Sequence, residues 1–143
     1  EAGDPAPGIE HLAQHASRDM MVQPFLASVE TEGEHCLVFL AGELSHAVRK
    51  NSLFLGGRHV GPEGIAVAIA PDEAAAARRV LDAAGADDLL YARVDLARDA
   101  TGAPVLLELE LVEPTLFFKE AAGSAERLAA ALATRLATSA RRL

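Results

Sequence analysis

The sequence lacks the features that define several large classes of protein. Its 143 residues include a single cysteine and no apolar run near the roughly 18 residues of a membrane-spanning helix. Cys36 cannot form an internal disulfide, and its place in the run CLVFL is typical of a small core residue. The formal net charge of −8 argues against a protein that binds phosphate backbones through a basic face. We therefore expect no nucleic-acid partner, no membrane and a cytoplasmic location.

Several catalytic motifs are missing as well. No GxxxxGK[ST] phosphate loop occurs, and no GxGxxG follows a strand. The five histidines form no HxH or HExxH spacing, and CxxC is absent, so a zinc site is not expected. The serines lack the context of a nucleophile elbow, which disfavours a serine hydrolase.

Size and pattern predict one α+β domain. Half of the residues are hydrophobic, enough for one core. Residues 1–18 are expected to form a linker with a short helix, mobile at its start, and residues 19–143 the folded part. Hairpins and helices occur without regular βαβ alternation, which predicts an antiparallel sheet with packed helices.

The elements can be placed by their local patterns. Strands are predicted at MMVQPFL (with Pro24 at an edge or bend), EHCLVFL, ELSHAVRK, IAVAIA, YARVDLA and PVLLELELV. Helices are predicted at 9–15, in PDEAAAARRVLDAAG and in the C-terminal segment, where Ser124 would be the N-cap. The stretches ASVETEG and SLFLGGRHVGPEG are predicted to be loops.

The strand VLLELELVEP carries carboxylates inside an apolar pattern. Side chains alternate along a strand, so Glu108 and Glu110 lie on one face. If residues 99–103 form the loop, Arg98 lies near Pro104, and Asp95 falls opposite Leu107 or Glu108. The second register gathers Asp95, Glu108 and Glu110 in one patch. Clustered like charges then require open water, raised pKa values or a bound cation.

A metal is one of three interpretations of this patch. Carboxylates on a rigid sheet suit Mg²⁺, which completes its shell with water and phosphate oxygens. On pattern alone, the solvated outer face of an amphipathic hairpin is the commoner arrangement, and it stays open. A Ca²⁺-binding hairpin is a weaker alternative, because the acids do not follow the spacing of an EF-hand loop.

A nucleotide site also needs cations for the phosphates. Lys50 ends the run SHAVRK, and Arg58 lies in the glycine-rich stretch LGGRHVG. Arg93 shares a face with Asp95, where a salt bridge to a neighbouring acid is the simpler role.

The order of these pieces resembles the C-terminal half of an ATP-grasp domain, the fold of glutathione synthetase and of the ligases that add glutamate to ribosomal protein. MMVQPFL with the following hairpin is similar to the segment that clasps adenine and ribose. YARVDLA and LLELELVEP are similar to the strands that carry the metal-binding acids. Two positions depart from the family: Glu110 stands where asparagine is frequent, and Cys36 where many relatives carry arginine.

The resemblance implies a role for each matching residue. Gln23, Pro24, Phe25 and Leu26 would line adenine through main-chain groups, and Glu34 would accept hydrogen bonds from the ribose. Lys50 and Arg58 would act at the phosphates or the acyl phosphate. Asp95, Glu108 and Glu110 would hold Mg²⁺, with Mn²⁺ as a substitute.

The implied chemistry is ATP-dependent ligation through an acyl phosphate that a nitrogen nucleophile captures. The pattern is similar to small bacterial ligases of secondary metabolism, one type of which closes O-ureido-serine to cycloserine. The expected partners are ATP, a small amino-acid-like carboxylate and an N-terminal part of the same protein. Without that part the chain should be inactive, and a homo-oligomer is compatible with the sequence. The alternative from another class is a non-catalytic binding or interaction module with an acidic, solvated hairpin.

Overall fold

A five-stranded antiparallel sheet organises the chain, in the order β3-β2-β1-β4-β5. The computed structural model describes residues 3–50, 64–86 and 88–140. The strands are β1 Glu34–Leu40, β2 Glu43–Lys50, β3 Gly64–Val67, β4 Tyr91–Arg98 and β5 Pro104–Glu110. The helices are α1 Ala6–Gln14, α2 Ser28–Thr31, α3 Pro71–Ala84 and α4 Ser124–Ala140, with a 3₁₀ turn at Phe118–Glu120. The predicted α+β class with an antiparallel sheet is confirmed.

The predicted hairpins are present. Ala41 and Gly42 join β1 to β2, and both have positive φ (52° and 81°), as a two-residue turn that matches strand twist requires. In the loop between β4 and β5, the Asp99 carboxylate accepts hydrogen bonds from the Thr101 and Ala103 amides. Arg98 pairs with Pro104 as predicted.

Both faces of the sheet are covered. On one face, Leu37, Phe39 and Val94 pack with helix residues such as Ala77 and Leu81 of α3. The opposite face carries a second buried cluster, made of Cys36, Val38, Leu40, Val48 and Phe117, against which Leu128 of α4 packs. The prediction that Cys36 is a core residue is confirmed, since its side chain is fully buried.

Helix α3 has the ends that its sequence predicts. Pro71 begins the helix, and the acids Asp72 and Glu73 occupy the first turn, where their negative charges interact favourably with the helix dipole. Gly85 follows the last turn in the left-handed region, with φ of 63°, a conformation that glycine adopts without steric cost.

The predicted first strand is wrong. MMVQPFL, residues 20–26, belongs to no strand, and Met21 and Phe25 are 86% and 75% exposed. Pro24 has no N–H to donate, and no described strand pairs with this segment, so extended propensity alone does not create a strand. The predicted loop ASVETEG likewise contains the short helix α2.

The C-terminal helix differs in detail. Gly123, not Ser124, accepts the first helical hydrogen bond, from the Arg127 amide, whereas the Ser124 hydroxyl donates to the Ala121 carbonyl at 2.6 Å. Leu128 packs on the core, but Leu132 and Leu136 are exposed. Within the described ranges, no helix combines the length and the apolarity needed to cross a membrane.

Candidate metal centre

A β-bulge determines which way the acids of β5 point. Near the loop, Leu96 pairs with Leu106, but Asp95 pairs with Glu108, so Leu107 is an extra residue on β5. In a regular ladder Asp95 would oppose Leu107, and Glu108 would lie on the other face of the sheet. The bulge therefore turns Glu108 and Glu110 to the side of Asp95, the second of the two predicted registers.

The structure brings Asp95, Glu108 and Glu110 together. One carboxylate oxygen of each lies within 4.8 Å of those of the other two. Mg²⁺ binds oxygens at about 2.1 Å, so opposite ligands of one ion are about 4.2 Å apart. Adjacent ligands of such an ion are only about 3 Å apart, so the three acids would share one divalent ion after their side chains move closer together. The Asp95 side chain is fully buried, whereas Glu110 and Glu108 are 25% and 54% exposed.

Arg93 lies among these acids on the same face of β4. Its Nε donates to Asp95 Oδ1 and its Nη2 to Asp95 Oδ2, both at 2.8 Å. The same Nη2 also donates to Glu110 Oε1 and lies 3.8 Å from Glu108 Oε2. The predicted salt bridge of Arg93 is present, and it involves all three candidate ligands.

Lys50 and Glu34 complete the charged cluster. The strand register places them opposite each other, and Lys50 Nζ lies 2.9 Å from Glu34 Oε2 and 3.2 Å from Asp95 Oδ2. Burial lowers the pKa of Lys50, but the hydrogen bond to Glu34 and the charge of Asp95 outweigh it, so the net shift is upward. The ammonium group therefore stays charged at neutral pH.

The cluster retains excess negative charge. Among the described residues it contains four carboxylates and two cations, a formal charge of −2. Burial raises the pKa of Glu110; Arg93 opposes the rise, and the charges of Glu108 and Asp95 add to it. A divalent cation would neutralise the remaining charge.

The segment after β5 holds Arg93 from the other side, and sequence reasoning did not identify this segment as part of the site. Arg93 Nη1 donates to the Thr115 carbonyl at 3.3 Å, and the guanidinium carbon lies 5.7 Å from the centre of the Phe117 ring. Phe117 is buried with φ of 48°, in the left-handed region that a phenylalanine rarely adopts. The spacing of Arg93 and Asp95 on one strand face was the available signal for Arg93. Thr115 and Phe117 carried none.

The structure describes most of the other candidate residues, but no hydrogen bond joins residues 23–26 to this cluster within the described ranges. Gln23, Pro24 and Phe25 are exposed and Leu26 is half-buried. The main-chain N–H groups of Gln23 and Phe25 donate to no other described residue. Arg58 lies outside the described residues. At Cys36, burial and then the charge of neighbouring Asp95 raise the thiol pKa, which keeps the group protonated.

Comparison with known proteins finds relatives of the expected kind. No protein family profile matches the chain. The cycloserine biosynthesis protein DcsG of Streptomyces lavendulae is 36% identical over 145 aligned residues, which cover 91% of this chain and 47% of that protein. The crystal structure of D-cycloserine synthetase DcsG superposes with a TM-score of 0.77 at 33% identity, over 92% of this chain and 48% of that one.

More distant structures share the fold. D-alanine–D-alanine ligase from Bacillus anthracis, solved with ATP, has a TM-score of 0.58 at 13% identity and covers 98% of this chain and 50% of its own. The ATP-grasp ligase PsnB, solved with a precursor variant, Mg and ADP, has a TM-score of 0.50 at 15% identity, over 91% and 50%. The predicted resemblance to ATP-grasp ligases, in the C-terminal half of their fold, is confirmed. The chain spans about half the length of each of these relatives.

Proposed function

We propose that the full-length protein is an ATP- and Mg²⁺-dependent ligase of the ATP-grasp type. It activates a carboxylate as an acyl phosphate, which a nitrogen nucleophile captures. The observation that carries this proposal is the meeting of Asp95, Glu108 and Glu110 on adjacent strands of an ATP-grasp fold. An acidic patch alone is common on protein surfaces, but here a fully buried aspartate belongs to it.

Each residue of the cluster has its own role in this proposal. The three acids would hold Mg²⁺, which when bound spreads the charge that develops on the transferred phosphoryl group. Lys50 contributes a second positive charge beside the acids, suited to a phosphate or acyl-phosphate oxygen. Arg58 belongs to the same proposal by resemblance. Catalysis of this kind depends on positioning and electrostatics, and a rigid sheet supplies both.

The nucleotide would lie along the segment before β1. The main-chain N–H groups of Gln23 and Phe25, which bond to no other described residue, would hydrogen-bond adenine, and Pro24 and Leu26 would line the ring. Glu34 begins β1, which follows this segment and α2 in the chain, and it would accept hydrogen bonds from the ribose hydroxyls. Glu34 already pairs with Lys50, so it would exchange this ion pair for the sugar or share it.

The substrate that the relatives favour is a precursor of cycloserine. DcsG is the relative that combines 36% sequence identity with a TM-score of 0.77. We therefore propose that the full-length protein closes O-ureido-serine to cycloserine in the cytoplasm. The oxygen-bound nitrogen displaces phosphate from the acyl phosphate to close the ring, and hydrolysis of the carbamoyl group releases carbon dioxide and ammonia. An N-terminal part would supply the remaining substrate contacts. Mg²⁺ would be the metal ion, and Mn²⁺ would be able to substitute for it.

Glu108→Gln tests the metal assignment. Glu108 is exposed, so the substitution removes one ligand charge without disturbing the core. In the full-length protein, Mg²⁺-dependent binding of a non-hydrolysable ATP analogue should weaken by at least about tenfold, and turnover should be lost. Isothermal titration calorimetry with and without Mg²⁺ measures the first effect, and ADP release the second.

Glu43→Gln is the matched control. Glu43 is an exposed acid at the far end of β2 from Lys50, and its neutralisation should change neither quantity. If Glu108→Gln also leaves both unchanged, the metal assignment is wrong and the cluster is the solvated surface of a non-catalytic binding module.

The choice of substrate has a separate test. ADP release by the full-length protein should depend on O-ureido-serine and should not be supported by D-alanine alone, with cycloserine identified by mass spectrometry. ADP release with another amino-acid-like carboxylate, and none with O-ureido-serine, would retain the ligase chemistry and reject this substrate.

A further inference from the structure

Arg93 occupies the position between the acids that a metal ion would take. Its Nη2 atom alone contacts Asp95 and Glu110 and approaches Glu108 to 3.8 Å. These are the same three carboxylates whose oxygens lie within 4.8 Å of one another. The guanidinium therefore stands at the centre of the proposed ligand set.

Arg93 neither hydrogen-bonds to all three acids nor neutralises the charge of the cluster. An Nη atom carries two hydrogens, so it can donate fully to two carboxylates only, and Glu108 remains beyond hydrogen-bond distance. Its single charge, with that of Lys50, also leaves the cluster at a formal −2. A divalent ion has no such directional limit and carries twice the charge.

A metal ion and the guanidinium cannot share this position. Two cations about 4 Å apart repel strongly where burial lowers the effective dielectric constant, and Arg93 is almost fully buried. Arg93 has contacts outside the cluster, namely the Thr115 carbonyl and the face of the Phe117 ring. These contacts give the side chain an anchorage that does not depend on Glu110.

We propose that Arg93 is a resident cation of the metal-free site, which a divalent metal must displace in order to bind. This proposal rests on the metal site proposed above. In the metal-free protein, Arg93 prevents the acids from repelling one another. When a metal enters, Nη2 leaves Glu110, and the guanidinium turns toward Thr115 and Phe117. The cost of this displacement lowers the intrinsic metal affinity, so that metal binds weakly until nucleotide phosphates add their own ligands.

Binding of Mn²⁺ alone tests the displacement. Free Mn²⁺ is measured by electron paramagnetic resonance in titrations of the full-length protein without nucleotide, at pH 8. Arg93→Gln removes the competing charge and should tighten Mn²⁺ binding by about tenfold or more. Arg135→Gln is the control. Arg135 lies on α4 and pairs with exposed Asp88, so loss of its charge should leave Mn²⁺ affinity unchanged.

A second measurement uses the wild-type protein, so it does not require that a variant folds. In the wild-type protein, the Arg93 Nε–H proton is bonded to buried Asp95 and should exchange slowly with water in the absence of metal. Addition of Mg²⁺ should shift this NMR signal and accelerate its exchange. A purely structural ion pair would keep both unchanged.

The outcomes separate this proposal from the proposed function. Displacement is rejected if Arg93→Gln leaves Mn²⁺ affinity unchanged or weaker and Mg²⁺ does not change the wild-type Arg93 NMR signal. If Glu108→Gln weakens Mn²⁺ binding in the same experiments, the metal site itself is supported. If Mn²⁺ affinity depends on neither Glu108 nor Arg93, both proposals fail.

Discussion

At the scale of single residues, Asp95 and Glu108 present the same chemical group in opposite surroundings. Asp95 is fully buried and accepts hydrogen bonds from Arg93 and Lys50, whereas the Glu108 side chain is 54% exposed. Removal of one partner from a buried ion pair is costly because the remaining charge stays unsolvated. Loss of an exposed carboxylate costs little.

Substitution of either acid should therefore weaken metal binding, but only substitution of Asp95 should destabilise the folded protein. We expect Asp95→Asn to lower the free energy of unfolding by about 2 kcal/mol or more, because Arg93 and Lys50 lose a charged acceptor. Glu108→Gln should change it by less than about 0.5 kcal/mol. Urea unfolding followed by circular dichroism measures both, and equal losses in the two variants would contradict the assigned roles.

Sequence reasoning predicted that the three acids share one patch, but it predicted neither the contact of Lys50 with Asp95 nor the position of Arg93 among the acids. Strand alternation is a local property, so it predicts that Glu108 and Glu110 share a face. Which donor reaches which oxygen depends on side-chain conformations across three strands. The sequence therefore predicted a salt bridge for Arg93 without its partners.

At the scale of elements, the entry to β1 depends on one glycine. Gly33 has φ of 81°, and a Cβ added there would lie 2.5 Å from the Lys50 carbonyl oxygen. Only glycine relieves both the strained φ and this clash. The neighbouring Glu34 and Lys50 form the ion pair at the edge of the cluster, so the glycine and the site are coupled.

Gly33→Ala and Gly85→Ala separate these two effects. Gly85 also has positive φ, but a Cβ there meets nothing within 4 Å. We expect Gly85→Ala to cost about 1 kcal/mol, from backbone strain alone. Gly33→Ala should cost about 2–4 kcal/mol, because the steric clash adds to that strain.

Guanidinium unfolding of both variants checks the difference. Gly8→Ala in α1, where φ is not positive and space is open, should cause no loss. Equal losses of unfolding free energy for Gly33→Ala and Gly85→Ala would show that the Lys50 carbonyl moves away from the added methyl group at no energetic cost.

At the scale of the whole molecule, the sheet has its own buried clusters on both faces. Helix α1 buries none of its residues, and Met21, Val22 and Phe25 are exposed in the segment that follows it in the chain. The folded unit is thus the sheet with α3 and α4, and the first part of the chain contributes little to its core.

We expect the 143-residue chain by itself to fold cooperatively but to turn over no substrate, because the relatives are about twice as long. Circular dichroism during urea unfolding should give one sigmoidal transition. ADP release should appear only with the full-length protein. Full turnover by the 143-residue chain would contradict this prediction.

The sequence by itself determined the hairpins, helix α3 with its Pro71 and Gly85 ends, and the shared face of Glu108 and Glu110. Each depends on alternation, turn residues or helix ends, which are interactions between near neighbours in the chain. Only the tertiary structure decided the bulge at Leu107, the position of Arg93 among the acids, and the absence of a strand at residues 20–26. These depend on which segments pack beside one another, and the free energies of competing pairings differ by too little for local patterns to distinguish them.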